Sequence, residues 1–165
     1  MKMSLMRISY AFTIVCVASC SNGSMDSMES TLVRDFLTNK ADLCVIVEMF
    51  NQDQDIGVVA SDYVQPDDIE LGKITSQRIE RYRELMRKCR LSGSIRRRSP
   101  DRVMLGHSNF GLSISGASYG YLYSTTEPEG IVTDSFADLR PRESATFHKK
   151  LKGHENWYIF YDYED

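Results

Sequence analysis

Aromatic side chains are concentrated near the C-terminal end of the sequence, where they could form a binding surface. Tyrosine and tryptophan rings give a large contact area at low entropy cost, so a sheet face that exposes them can hold a sugar, a peptide or a protein loop. The candidate members of this surface are Tyr119, Tyr121, Tyr123, Trp157 and Tyr161. Cross-strand aromatic packing inside an ordinary sheet is the alternative, and it is favoured for most of these rings.

The histidines and serines do not form a recognisable catalytic or metal-binding pattern. His107, His148 and His154 are the three histidines, and the last two are not at the HExxH spacing of a zinc site. Serines are abundant near His107, but no GxSxG elbow occurs. The sequence therefore predicts no catalytic residue, no metal ligand and no cofactor.

The first nineteen residues have the composition of a signal peptide. Lys2 and Arg7 precede an uncharged apolar run, residues 8–18, which ends in small residues. A transmembrane anchor is the alternative, but a span needs about 20 apolar residues and this run is roughly half that length. The sequence turns abruptly polar after Ser19, so residues 1–19 are expected to be removed.

The end of this run, Val17-Ala18-Ser19-Cys20, resembles the lipobox of bacterial lipoproteins. The resemblance implies that Cys20 receives a diacylglyceryl group, that cleavage before it frees its amine, and that a third acyl chain is often added there. Two acyl chains already give a stable membrane anchor. Ser21 follows the cysteine where aspartate would suggest inner-membrane retention, so the analogy favours the outer membrane. The resemblance thus implies a cell-envelope protein that is anchored by lipid and faces the periplasm.

Cys44 and Cys89 are the cysteines that remain after export and lipidation. The periplasm is oxidising, so an isolated pair of this kind can form a disulfide. Two separate buried thiols are the alternative, because free cysteine packs as a small apolar residue. Both readings stay open at this point.

The chain has the length and composition of one domain. Its 165 residues, 42% of them hydrophobic, are enough for one hydrophobic core but too few for two of ordinary size. Loss of Lys2 and Arg7 with the leader changes the formal net charge from −3 to −5, so no general attraction to nucleic acid is expected. Residues 20–30 are polar and predict a lipidated tether, and residues 31–165 are expected to form the domain.

Two segments have the apolar spacing of helices. Apolar residues at positions 43, 46, 47 and 50 predict a helix capped by Asn39, although their branched neighbours leave a buried strand open. Apolar positions 79, 82, 85, 86 and 89 predict a helix capped by Thr75 or Ser76 and ended by Gly93. The end of the tether can start a further helix through Phe36, which would make three.

From residue 101 onward the sequence alternates as strands do. The alternation predicts an antiparallel meander over residues 103–123, a strand near residues 146–151 and a closing strand over residues 157–163. A short strand is expected at residues 57–64, and Arg96-Arg97-Arg98 is assigned to a loop. Because the helices come first and the strands later, the sequence predicts an α+β fold, with two or three N-terminal helices packed on one face of a C-terminal antiparallel sheet of about four to five strands.

The sequence favours a binding or interaction module over an enzyme. Its expected partners are the membrane, through the acyl chains on Cys20, and an envelope protein or a cell-wall polymer. Residues 112–124 and 156–161 are similar to stretches of small uncharacterised bacterial proteins, which supply no activity to transfer. An envelope-polymer hydrolase is the alternative, but it would need converging carboxylates or a histidine-paired nucleophile, and neither occurs at recognisable spacing.

Overall fold

The computed structural model describes residues 25–66, 74–112, 115–137, 139–140 and 143–165. The predicted signal peptide, Cys20 and residues 21–24 of the predicted tether lie outside these residues. The elements are α1 (Met25–Gln52), β1 (Val58–Val59), β2 (Val64–Gln65), α2 (Ser76–Lys88), β3 (Ile95–Ser99), β4 (Arg102–Leu112), β5 (Ser115–Ser124), β6 (Ile131–Val132), β7 (Ala145–Lys150) and β8 (Trp157–Glu164).

A single long helix, α1, replaces the separate N-terminal helices that the sequence predicted. It contains neither proline nor glycine, so nothing in its sequence interrupts the hydrogen-bond ladder. Asn39 is not an N-cap; its side-chain amide donates to the Asp35 carbonyl one turn earlier, at 2.9 Å. The helix begins at Met25, inside the stretch predicted as tether. No helix in the described part of the chain is both long enough and apolar enough to cross a bilayer.

The observed start of the second helix confirms the N-cap that the sequence predicted. Thr75 has extended backbone angles and its hydroxyl accepts from the Arg78 N–H at 3.2 Å, as an N-cap residue does. The helix ends at Lys88 rather than at Gly93, and Arg90 follows with a φ of 58°. Tyr82, Leu85 and Met86 are its buried residues, at the spacing that the sequence predicted.

The fold is α+β, with an N-terminal helix packed on a sheet, but the sheet is larger than predicted. Eight strands lie in the order β2-β1-β3-β4-β5-β8-β7-β6, and β6 pairs with β7 in parallel, so the sheet is mixed. Three strands have two residues each, which is too short for periodicity to detect. The Arg96-Arg97-Arg98 stretch lies in β3, where Arg97 packs over the Phe50 ring at 4.7 Å.

The two faces of the sheet are covered differently. One face packs against α1 and carries alternate residues of β5 and β8, including Tyr121 and Ile159, which are both fully buried. The opposite face carries a smaller buried cluster of Leu122, Tyr158 and Phe160. Residues 125–130, here called the strap, directly follow β5.

Side-chain contacts to the sheet hold the strap in place. The Arg102 guanidinium donates to the Glu127 carbonyl and pairs with the Glu129 carboxylate, both at 2.9 Å. Gly130 has a φ of 110°, and a Cβ there would lie 2.6 Å from the Thr146 carbonyl and 3.3 Å from the His148 ring, so glycine is required. These contacts therefore hold the strap against the sheet.

Candidate functional site

A groove lies between α1 and the turn that joins β7 to β8. Its volume is about 970 Å³, a size typical of ligand pockets. We call it the α1–turn groove. It is lined by Val33, Phe36, Leu37, Asp134, Lys149, Lys150, Leu151, Lys152, Gly153, His154 and Glu155.

Leu37 is the most exposed apolar side chain at this groove. It is 58% exposed, whereas its neighbour Phe36 is fully buried. Successive helix residues are about 100° apart around the axis, so Leu37 points away from the apolar stripe that contains Phe36 and packs on the sheet. A second depression, of about 700 Å³, also has Val33 and Leu37 in its lining, together with Arg34 and Thr38. Leu37 thus stands as an apolar ridge between two depressions.

The floor of the groove is aromatic. The Phe36 ring meets the His154 ring at 5.1 Å and the Trp157 ring at 5.2 Å, both edge to face. Nδ1 of His154 is buried and makes no hydrogen bond within the described residues. Because this nitrogen is shielded from solvent and Phe36 is fully buried, these rings support the groove from below and are not themselves exposed to a ligand.

A buried ion pair fixes the first turns of α1 beside the groove. The Glu29 carboxylate accepts from the Lys149 ammonium, from the Phe136 N–H at 2.6 Å and from the Ser135 hydroxyl at 3.2 Å. Burial would raise the pKa of Glu29, but these hydrogen bonds and the lysine charge outweigh it and hold the pKa below its usual value. The ion pair neutralises Lys149 and positions the groove wall.

The predicted aromatic binding surface lies mostly inside the core. Tyr121, Trp157 and Tyr161 are at most 5% exposed, so they cannot form an exposed platform. Tyr119 and Tyr123 are half-buried and pack against the same core. Phe36, Tyr121, Tyr123 and Trp157 form an aromatic cluster with ring centroids 5.2–5.8 Å apart. Cross-strand and helix-to-sheet packing, the alternative reading of the sequence, therefore describes these rings.

The two candidate disulfide cysteines are both free thiols. Cys44 is exposed on α1, and Cys89 is 1% exposed at the end of α2. Burial, with a smaller contribution from Asp42, raises the pKa of the Cys89 thiol to about 11. The thiolate is the reactive form, so Cys89 is a poor nucleophile at neutral pH.

The histidines lie in three different environments. His154 is at the groove, whereas His148 is 4% exposed and burial lowers its pKa to about 4. His107 lies at a break in the β4–β5 register, and its Nε2 is 3.5 Å from a carboxylate oxygen of Asp35. Because neither ring nitrogen of His107 makes a hydrogen bond within the described residues, no nucleophile is paired with it there.

Asp35 is the second buried acid of α1. Its carboxylate is 8% exposed and lies 3.5 Å from Nε of Arg34 and 3.7 Å from Nη1 of Arg90. The cations balance the buried charge, as a structural acid requires. In the described ranges, no group of three or more histidines, cysteines and acids is arranged to hold a metal ion.

Sequence reasoning missed the residues that form the groove. Leu37 carried a usable signal, because it is an apolar residue outside the stripe that begins at Leu32 and Phe36. Glu29 and Lys149 are 120 residues apart and carry no spacing signal at all. No protein-family model matches this chain, and neither does a curated protein or a solved structure.

Proposed function

We propose that the mature protein is a lipid-anchored component of a bacterial cell envelope that works by binding. In this proposal residues 1–19 are removed, Cys20 carries the acyl chains, and the domain faces the periplasm. Ser21 favours the outer membrane. The α1–turn groove is the binding surface, and its partner is another envelope component, such as an envelope protein or a cell-wall polymer.

The observation that carries the proposal is where the groove lies relative to Cys20. Val33 and Leu37 belong to α1, the first described element, and four residues separate Cys20 from its first residue, Met25. A helix rises about 1.5 Å per residue, so Val33 is roughly 12 Å from the start of α1. An anchor at Cys20 would therefore hold the groove close to the membrane and its components.

Replacing single cysteines tests the anchor. Cys20→Ala should block acylation and leave the leader uncleaved, so the protein would keep its full length and lose its acyl mass. Cys16→Ala is the matched control, because Cys16 lies in the same apolar run but lacks small residues before it. Normal processing and acylation of the Cys20→Ala protein, measured by mass spectrometry and detergent partitioning, would contradict the proposal.

Crosslinking from the groove in intact cells tests the binding role. A photoreactive amino acid at position 37 should capture an envelope component, and the same group at position 45 should not. Val45 is a suitable control because it is 38% exposed on the same helix and does not line the groove. Equal capture from both positions would count against the groove as the binding surface.

An envelope-polymer hydrolase is the second candidate, favoured by the contact between His107 and Asp35. An acid close to a histidine is one part of a general-base arrangement, but a nucleophile or a water-activating cleft is also needed. Purified protein incubated with peptidoglycan should release soluble fragments if this candidate holds, and His107→Ala should abolish the release. No release by the wild-type protein would remove the candidate.

A further inference from the structure

We propose that the strap is an acid-released cover on the sheet face opposite α1. A proton taken up by His148 frees the strap, and the freed strap exposes the apolar cluster of Leu122, Tyr158 and Phe160, here called the second cluster. This release needs neither the anchor at Cys20 nor the α1–turn groove. Three features support it: where the strap is held, what lies beneath it and which charges surround His148.

The strap is held from two strands that lie on either side of the second cluster. Arg102 of β4 is two residues from Met104, which packs against the cluster, so these two side chains share a face. His148 of β7 is the direct cross-strand neighbour of Phe160, a member of the cluster. Because β5 and β8 lie between β4 and β7, a strap that is bound by Arg102 and rests on His148 crosses the cluster.

Polar contacts hold the middle of the strap, and close packing holds its end. Arg102 binds the Glu127 carbonyl and the Glu129 carboxylate, both at 2.9 Å. Gly130 lies against the His148 ring, since a Cβ there would be 3.3 Å from both Nδ1 and Cε1. Pro128 is buried, and the side chains of the second cluster are at most 8% exposed, as a cover over them requires.

His148 is the titratable group beneath the strap. It is 4% exposed, and its Nδ1 makes no hydrogen bond within the described residues. Burial lowers its pKa to about 4; the Asp162 carboxylate opposes this shift, and the Arg102 cation adds to it. A buried imidazolium beside Arg102 would be unfavourable, so a protonated His148 must reach water.

The charged groups around His148 come from the strap and from three strands. They are Glu127 and Glu129 of the strap, Arg102 of β4, Lys150 of β7 and Asp162 of β8. Glu129 is paired with Arg102, and Asp162 accepts from the Thr146 hydroxyl at 2.6 Å. None of the three carboxylates bonds to Nδ1, so the closed strap offers the imidazolium no acceptor at that atom.

The sign of the pH effect follows from the two states of His148. With the strap open the ring meets water, and its pKa returns to about 6.5. The open form therefore binds the proton more tightly than the closed form, and it is favoured as the pH falls below 6.5. With a closed-state pKa of about 4, the ratio of open to closed protein should rise about fiftyfold between pH 7.5 and pH 4.5.

Thiol labelling of the full chain tests the release. Ser124→Cys places a thiol beneath the strap, because Ser124 is 1% exposed and its hydroxyl donates to the Thr126 carbonyl at 2.7 Å. Cys44→Ser removes the exposed thiol, and Cys89, 1% exposed in the core beside α1, reports global unfolding. A dipyridyl disulfide labels thiols even in acid. Peptide mass spectrometry locates each label, and each rate is divided by that of the unfolded chain at the same pH.

We expect labelling at position 124, relative to Cys89, to rise about fiftyfold from pH 7.5 to pH 4.5. His148→Leu should remove most of the rise, because leucine takes up no proton. His154→Gln is the matched control, since His154 lines the α1–turn groove, and it should keep the full rise. Glu129→Gln breaks an exposed ion pair to Arg102 and should raise labelling about threefold at pH 7.5.

Three results would overturn the proposal. They are labelling at position 124 that does not change with pH, an equal rise in the His148→Leu protein, and labelling of Cys89 that rises in parallel, which would mean that acid unfolds the whole domain.

A second measurement applies if the thiol at position 124 prevents folding. In the wild-type chain, nuclear magnetic resonance should show the His148 ring titrating with a pKa near 4 and the Gly130 amide shifting in the same transition. A His148 pKa near 6.5 would also overturn the proposal.

Discussion

The aromatic cluster and the α1–turn groove are neighbouring regions that share Phe36, yet one is closed and the other is open. In the cluster, Tyr121 and Trp157 pack against the helix and are nearly inaccessible. In the groove, one residue further along α1, Leu37 is 58% exposed. The comparison teaches that the aromatic rings mark where this fold is stabilised, whereas the gap between α1 and the β7–β8 turn leaves apolar surface open.

The largest effect is expected inside the aromatic cluster. Trp157→Ala should lower the free energy of unfolding by about 4 kcal/mol, because it leaves a large cavity against Phe36. Urea unfolding followed by circular dichroism measures the change. A loss below about 1 kcal/mol would mean that the ring is not a core residue and would weaken the comparison.

The buried His148 beside the strap should supply a pH-dependent effect of similar size. Burial lowers the pKa of His148 from 6.5 to about 4, so the folded protein holds the neutral ring. The stability from this group is present above pH 6.5 and is lost as the pH falls toward 4, by up to about 3 kcal/mol. Urea unfolding between pH 7 and pH 4 should show this loss in the wild-type protein and a smaller one in His148→Leu. Identical pH profiles for the two proteins would contradict the burial of a neutral histidine.

The ion pair beside the groove should contribute less. Glu29→Ala leaves the Phe136 N–H and the Lys149 ammonium without their acceptor, which should cost about 2 kcal/mol. Because the pKa of Glu29 is lowered, its contribution is present above its unfolded pKa of 4.5 and is lost as the pH falls through the folded value. Glu48→Ala is the control, since Glu48 is exposed on the same helix. Chemical unfolding at pH 7 should show a lower free energy of unfolding for Glu29→Ala than for Glu48→Ala. Equal stability of the two variants would show that the ion pair does not hold the groove wall.

The smallest effect on stability is expected at the groove ridge. Leu37→Asp should change the free energy of unfolding by no more than about 0.5 kcal/mol, because the side chain is mostly exposed. Its effect should be on binding alone, which crosslinking in intact cells measures. A large loss of stability would mean that Leu37 packs in the core, as the aromatic cluster does, and that it is not part of the open groove.

The sequence predicted the regular parts of the fold for identifiable reasons. Thr75 gives a capping signal, and the alternation through β4, β5 and β8 is long enough to detect. The strand containing Arg97 was missed because its charges indicate solvent, whereas the guanidinium packs on the Phe50 ring. Local sequence also suggested Asn39 as a cap, although the helix simply continues through it.

The candidate site was less predictable than the fold. Its wall depends on Glu29 and Lys149, which meet only after α1 has packed on the sheet. The sequence also overstated the exposure of Tyr121 and Trp157, because alternation along a strand identifies a shared face but not what covers it. Leu37 alone could have been noticed, as an apolar residue outside the helix stripe.

The measurement that tests the central claim most directly is the mass of the N-terminal peptide of the protein purified from a bacterium with an outer membrane. The proposed anchoring predicts a chain that begins at Cys20 and carries a diacylglyceryl group on its sulfur. A chain that still begins at Met1, with an unmodified Cys20 thiol and no fatty acid, would contradict it.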